Sequence, residues 1–208
     1  MAEVLEETKI RDRLRNKNPG QIYFQLIKSV PVFEGERWLA MVERLTGGTA
    51  GGKKVIGPDK TLNNGDVIDI GDTSFRIHHT GPAHTDNDIM IEVVDQKALF
   101  TGDVVRNGAL GLMESDASFK GNIAAIDWMV EKKFKHYIPG HGRAGGIEIV
   151  RAYRAYLNKL LTTVRKLYAE NLSDHEMKPA VLQAVSAYKD WAGFELVLGP
   201  HVSRAYLE

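Results

Sequence analysis

The sequence contains no cysteine. That excludes disulfide bonds, thiolate metal ligands and a cysteine nucleophile, and leaves His and carboxylate to hold any borderline metal ion. Neither sign of charge is in excess, since 27 Lys and Arg balance 27 Asp and Glu. No whole-molecule field draws the chain to nucleic acid or to anionic lipid, and neither is expected as a partner. No stretch approaches the ~20 consecutive apolar residues of a membrane span. The opening Met1-Ala-Glu-Val-Leu-Glu-Glu lacks a signal-peptide core and is charged from its third residue. A soluble, cytoplasmic chain is the expectation. Histidine is unevenly placed: none of the seven precedes His78. No internal repeat and no low-complexity segment is present.

What remains suffices for one buried core, since 43% of the 208 residues are hydrophobic. The chain reads as a single α/β domain in three segments. Residues 1–59 are helix and loop: a charged helix over 3–17, a break at Asn18-Pro19-Gly20, and a second helix carrying Trp38, Met41, Val42 and Leu45 at helical spacing. Gly47, Gly52 and Lys53 have the spacing of a phosphate-cradling loop. The context is wrong for one, because position 54 is Lys rather than a hydroxyl residue and the segment follows a helix, not a strand.

Residues 60–145 change character. Asp66–Ile70 and Thr73–His79 alternate in polarity about Gly71-Asp72, which predicts a β-hairpin; Ile89–Val94 and Lys97–Phe100 predict a second. An amphipathic helix is expected around Ile123, Ile126, Trp128, Met129 and Val130, ending near Phe134, and then a short strand Lys135–Ile138 halted by Pro139-Gly140. Residues 146–208 form a helical extension: a helix over Ile149–Asn171, another opened by the capping box Ser173-Asp-His-Glu176 and closed by Asp190–Gly193, and a last short one from about Val202.

Three stretches carry the chemistry: Gly81-Pro-Ala-His84-Thr-Asp-Asn-Asp88, Thr101-Gly-Asp103 and Pro139-Gly-His141-Gly142. Each sets a potential metal ligand beside Gly or Pro, after a run that reads as a strand. The element order makes them meet. The strand ending at His79 and the one starting at Ile89 share the end that bears His84, and the hairpin partner returns there to reach Asp103. A crossover helix then lets the strand ending at Ile138 run parallel and deliver His141 to the same edge. His, Asp and His are a fitting ligand set for zinc, with manganese or iron as further candidates. Of His78 and His79, adjacent on a strand, one is able to face the same edge. His136, His175 and His201 read as surface or structural residues, and Asp86 and Asp88 as residues that shape the loop.

These stretches resemble the third, fourth and fifth metal motifs of metallo-β-lactamase-fold hydrolases, in order, spacing and context. The resemblance covers about residues 60–208, including Tyr188-Lys-Asp-Trp191 and Val202-Ser-Arg-Ala-Tyr206, and is loose over 1–59. It implies an αββα sandwich, here partial, with two metal ions: His84 on one, His141 on the other, and Asp103 bridging both as the catalytic carboxylate. It implies hydrolysis of a small ester, thioester, lactone or phosphoester by metal-activated water. Asp rather than Cys at 103 argues against one well-known lactamase subclass.

The family's His-x-His-x-Asp-His signature is absent, and with it up to four ligands. Two readings are open. In one, the chain is the C-terminal part of a dinuclear hydrolase, either cut short or completed by an N-terminal half that brings the remaining ligands. In the other, it is a half-sandwich without metal chemistry that serves as a binding module or homo-oligomer.

Overall fold

The computed structural model describes residues 61–113 and 116–208, together with positions 44 and 47. The two helices and the glycine-rich segment expected before residue 55 otherwise lie outside the described residues. The chain divides into compact units at residues 1–62 and 63–208. The second unit holds the sheet and the helices that position the candidate ligands.

Both hairpins form. Strand β1 (Val67–Ile70) turns through Gly71 into β2 (Thr73–His78), pairing Val67 with Arg76 and Ile70 with Thr73. Strand β3 (Met90–Val93) pairs back on β2 and turns through residues 94–97 into β4 (Ala98–Arg106). Helix α1 (Phe119–Lys132) then crosses over, so that β5 (His136–His141) lies parallel to β4. The sheet order is β1-β2-β3-β4-β5. This is the mixed α/β layering that alternating hairpins followed by amphipathic helices call for.

Two strands outrun their expected ends. The Thr101-Gly102-Asp103 turn is instead the middle of β4: Gly102 takes φ +53, a left-handed conformation that lets the strand bulge and continue. Pro139-Gly140 does not halt β5, which runs on to His141. Because β5 ends the sheet order among the described residues, the amide hydrogen that proline lacks costs no ladder bond to β4. Metal-type residues therefore sit on strand irregularities as well as in loops.

Some helix ends differ from expectation. Ser118 caps α1 by accepting from the Gly121 amide, and the buried stripe is Phe119, Asn122, Ala125, Ile126 and Met129, with Ile123, Trp128 and Val130 only partly covered. Helix α2 (Ile147–Ala169) buries Ile149, Val150, Tyr153, Tyr156, Leu157, Leu160, Leu161 and Val164, the i, i+3, i+4 pattern of a core-facing helix. It packs on α1, on β4 and β5, and on the two helices that follow, so it is the hub of the core. Full burial of each leucine contributes roughly 2 kcal/mol.

The capping box is present: Ser173 and Glu176 exchange hydrogen bonds at the start of α3 (Asp174–Ala184). This helix stops earlier than expected, and a 3₁₀ turn at Ser186–Tyr188 follows. The last helix, α4 (Phe194–Tyr206), is longer than the expected short one from Val202, because it continues through Gly199-Pro200. Burial of Phe194, Val197, Leu198, His201, Val202 and Ala205 along one face outweighs the local penalty of an internal proline.

Candidate metal centre

Each element delivers its residue for a local reason. His84 sits in the loop between β2 and β3. Asp88 braces that loop by accepting from the Thr85 amide at 2.7 Å and the Thr85 hydroxyl at 3.0 Å, and the Ser118 amide at the start of α1 holds the Ala83 carbonyl at 2.8 Å. The shaping role expected of Asp88 is thus seen in its contacts; Asp86 contributes its amide, which donates to Asp116. Asp103 projects from β4 just past the Gly102 bulge. His141 ends β5, where its carbonyl accepts from the Asn107 amide at 3.0 Å.

The three side chains converge as the chain order demands. His84 Nε2 lies 3.7 Å from Asp103 Oδ2, and His141 Nε2 lies 3.4 Å from Asp103 Oδ1. Gly140 makes room for the carboxylate: a β-carbon there would fall 2.2 Å from Asp103 Oδ1. His84 is largely buried, its side chain 13% exposed, whereas His141 is 56% exposed, so one side of the carboxylate is enclosed and the other open.

These separations bear on whether a metal ion fits. An N–H···O hydrogen bond clusters near ~2.9 Å, whereas two donors each ~2.0–2.1 Å from a tetrahedral zinc lie roughly 3.4 Å apart. The imidazole–carboxylate spacings match donors that share an ion. Because the imidazoles approach opposite oxygens, no three His, Asp or Glu side chains among the described residues gather about one point. The arrangement fits two half-sites joined by Asp103, each with two protein donors, one fewer than a catalytic zinc normally has.

The other histidines are engaged elsewhere. His78 Nε2 meets Glu92 Oε2 at 2.7 Å, and its ring packs 4.7 Å from that of Trp128. His79 Nδ1 lies 2.8 Å from the Asp88 carbonyl. Neither reaches the triad. His136 and His175 are exposed. His201 is fully buried: its Nε2 donates to the Gly111 carbonyl at 2.7 Å, and its Nδ1 accepts from the Tyr156 hydroxyl at 2.8 Å. Burial lowers its pKa to about 4, against the opposing effect of the bond to Gly111 and with a further push from the charge of Arg106, so the ring is neutral near pH 7. Burial likewise raises Tyr153 to about 12 and raises Tyr156 further.

Sequence reasoning missed Arg106. Its Nη2 donates to Asp103 Oδ2 at 2.7 Å, from a side chain only 9% exposed. The one signal was a lone cation closing the apolar pair Val104-Val105, three residues beyond the key aspartate.

A family model described as the metallo-beta-lactamase superfamily matches residues 12–142. Among curated proteins the chain is similar to acyl-coenzyme A thioesterase MBLAC2 of Bos taurus, with 29% identity over 112 residues, 51% of this chain and 34% of the relative. It is also similar to a hydroxyacylglutathione hydrolase of Francisella tularensis, with 33% identity over 61 residues, 29% of this chain and 24% of the relative. Among solved structures, the sec-alkylsulfatase Pisa1 of a Pseudomonas species shares the fold, with a TM-score of 0.56 and 17% identity over 73% of this chain and 26% of that one. The chain spans about a third or less of the length of these relatives. Among the described residues no helix is long and apolar enough to cross a membrane.

Proposed function

Because the chain belongs to the metallo-beta-lactamase superfamily, we propose that it supplies the bridging half of a dinuclear metallohydrolase centre, in which Asp103 is shared by two ions, zinc being the first to test, with His84 on one and His141 on the other. The observation that carries this reading is the Asp103 carboxylate, which presents one oxygen to each imidazole at ion-sharing distance. The relatives named acyl-coenzyme A thioesterase support a thioester as the first substrate class to test, ahead of other esters, lactones and phosphoesters.

Bound ions would lower the pKa of a water molecule and polarise the scissile carbonyl. The chain's own residues set the stage for that chemistry. Asp103 fixes the spacing between the half-sites. His84, enclosed by its loop, defines the buried side. His141, exposed, defines the side that substrate approaches. Gly140 keeps the carboxylate against β5, and Asp88 keeps the His84 loop closed. Each half-site has two donors, so full activity calls for ligands beyond these three.

The test is acyl-coenzyme A hydrolysis with zinc, by this chain alone and in the presence of a His-x-His-x-Asp-His-bearing half of a relative. Hydrolysis that rises on complementation and is lost in His141→Ala supports the proposal. A second reading, a binding module without metal chemistry, draws on the Arg106–Asp103 ion pair, which neutralises the carboxylate without any ion. Unchanged behaviour of His84→Ala and His141→Ala in every assay would favour it.

A further inference from the structure

Arg106 is the feature of the centre that the proposed chemistry leaves unexplained. Its guanidinium bonds Asp103 Oδ2, the oxygen that faces His84, and leaves Oδ1 to face His141. The side chain is held in place. Gly111 forms the slot it lies in, since a β-carbon at Gly111 would come within 2.1 Å of Arg106 Cζ. Gly111 is itself pinned by the bond from His201 Nε2 to its carbonyl, and the adjoining Leu110 amide by the Ala192 carbonyl at 2.7 Å. Among the described residues the Arg106 Nε is buried without a hydrogen-bond partner.

We infer that Arg106 makes the two half-sites unequal: by occupying Oδ2 with a fixed cation it weakens ion binding beside His84, leaving Oδ1 with His141 as the tighter position. The inference rests on the metal-bridging reading proposed for this centre. A charge-assisted bond takes one of the two lone pairs of Oδ2 and sets a positive charge beside the other, and guanidinium cannot shed that charge to make way for an ion. The repulsion is felt most on the enclosed side, where the surroundings screen charge least. Enclosure also strengthens the attraction of an ion to His84 and Asp103. What distinguishes the two positions is that Oδ2 carries a fixed cation at 2.7 Å, whereas Oδ1 faces His141. Arg106 is therefore a positioning residue that sets the order in which ions load.

The experiment is zinc titration by calorimetry on the full chain. His84→Ala isolates the Oδ1 position, and His141→Ala isolates the Oδ2 position. His84→Ala should bind zinc roughly tenfold tighter than His141→Ala, the scale of one charge-assisted bond. Adding Arg106→Met should raise the affinity of the His141→Ala protein by about that factor and change the His84→Ala protein by less than about threefold. Gly111→Ala, which displaces the guanidinium without deleting it, should shift the His141→Ala protein in the same direction. Circular dichroism establishes that each variant is folded. Equal affinities in the two single variants, or an Arg106→Met effect of one size in both backgrounds, would overturn the inference while leaving the bridge intact. Zinc binding by neither the parent nor any variant would overturn the bridging reading and the inference with it.

Discussion

Gly140 and Asp103 touch so closely that no other residue fits at 140: a β-carbon there would lie 2.2 Å from the carboxylate Oδ1 and 3.0 Å from the Gly102 backbone. Gly140→Ala must push the carboxylate or part β5 from β4. Overpacking of this kind costs about 1–3 kcal/mol. Zinc affinity is expected to fall at both half-sites together, since both depend on where Asp103 sits. Calorimetry beside urea denaturation separates the two effects, and zinc binding should suffer even at urea concentrations where the variant is fully folded.

Asp103→Asn keeps the shape and removes the charge. Arg106, nearly buried, then loses its counter-ion and keeps only a neutral acceptor. Asp103 is 29% exposed, so solvent screens part of the loss, and the expected destabilisation is about 1–2 kcal/mol, below that for a fully buried pair. Paired with Arg106→Met, the double variant should recover some of that stability, because no uncompensated cation remains. A double-mutant cycle by urea melts measures it.

Acid should weaken the fold through His201. Its folded pKa of about 4 lies below the ordinary 6.5, so between those values the unfolded chain takes up a proton that the folded chain refuses. Stability contributed by the neutral ring is fully present above pH 6.5 and is lost as pH falls towards 4, by about 3 kcal/mol in all. The comparison is urea stability at about pH 7 and about pH 4.5 for the parent and His201→Gln, and the drop should be smaller in the variant. Tyr156→Phe leaves His201 Nδ1 without its donor and should cost about 1 kcal/mol near neutral pH.

Helix α2 sets the stability of the core. Leu160 is completely buried at its centre, and Leu160→Ala is expected to cost about 2–5 kcal/mol. Thermal melts should show the loss with no change in the relative zinc affinities of the two half-sites, because the ligand candidates sit on the sheet and its loops and not on this helix.

The sequence made the hairpins, the α2 stripe and the meeting of His84, Asp103 and His141 readable, because these follow from period-two alternation, helical spacing and strand order. Where two strands and the last helix were read too short, Gly and Pro were the cause. Gly102 and Pro139-Gly140 read as stops, yet a bulge and a place at the end of the described sheet let both strands pass through them. Gly199-Pro200 hid most of α4 for the same reason. Arg106, Gly111, His201 and Tyr156 were unreadable as a group, since only tertiary packing brings the C-terminal helices beside the segment after β4.

The most direct test of the bridged centre is a zinc titration of the parent beside His84→Ala, His141→Ala and Asp103→Ala. Two weak, separable binding events are expected in the parent, with each histidine variant losing a different one and the aspartate variant losing both. A metal-free parent across the same concentrations, or a His84→Ala protein indistinguishable from it, would contradict the bridging role of Asp103.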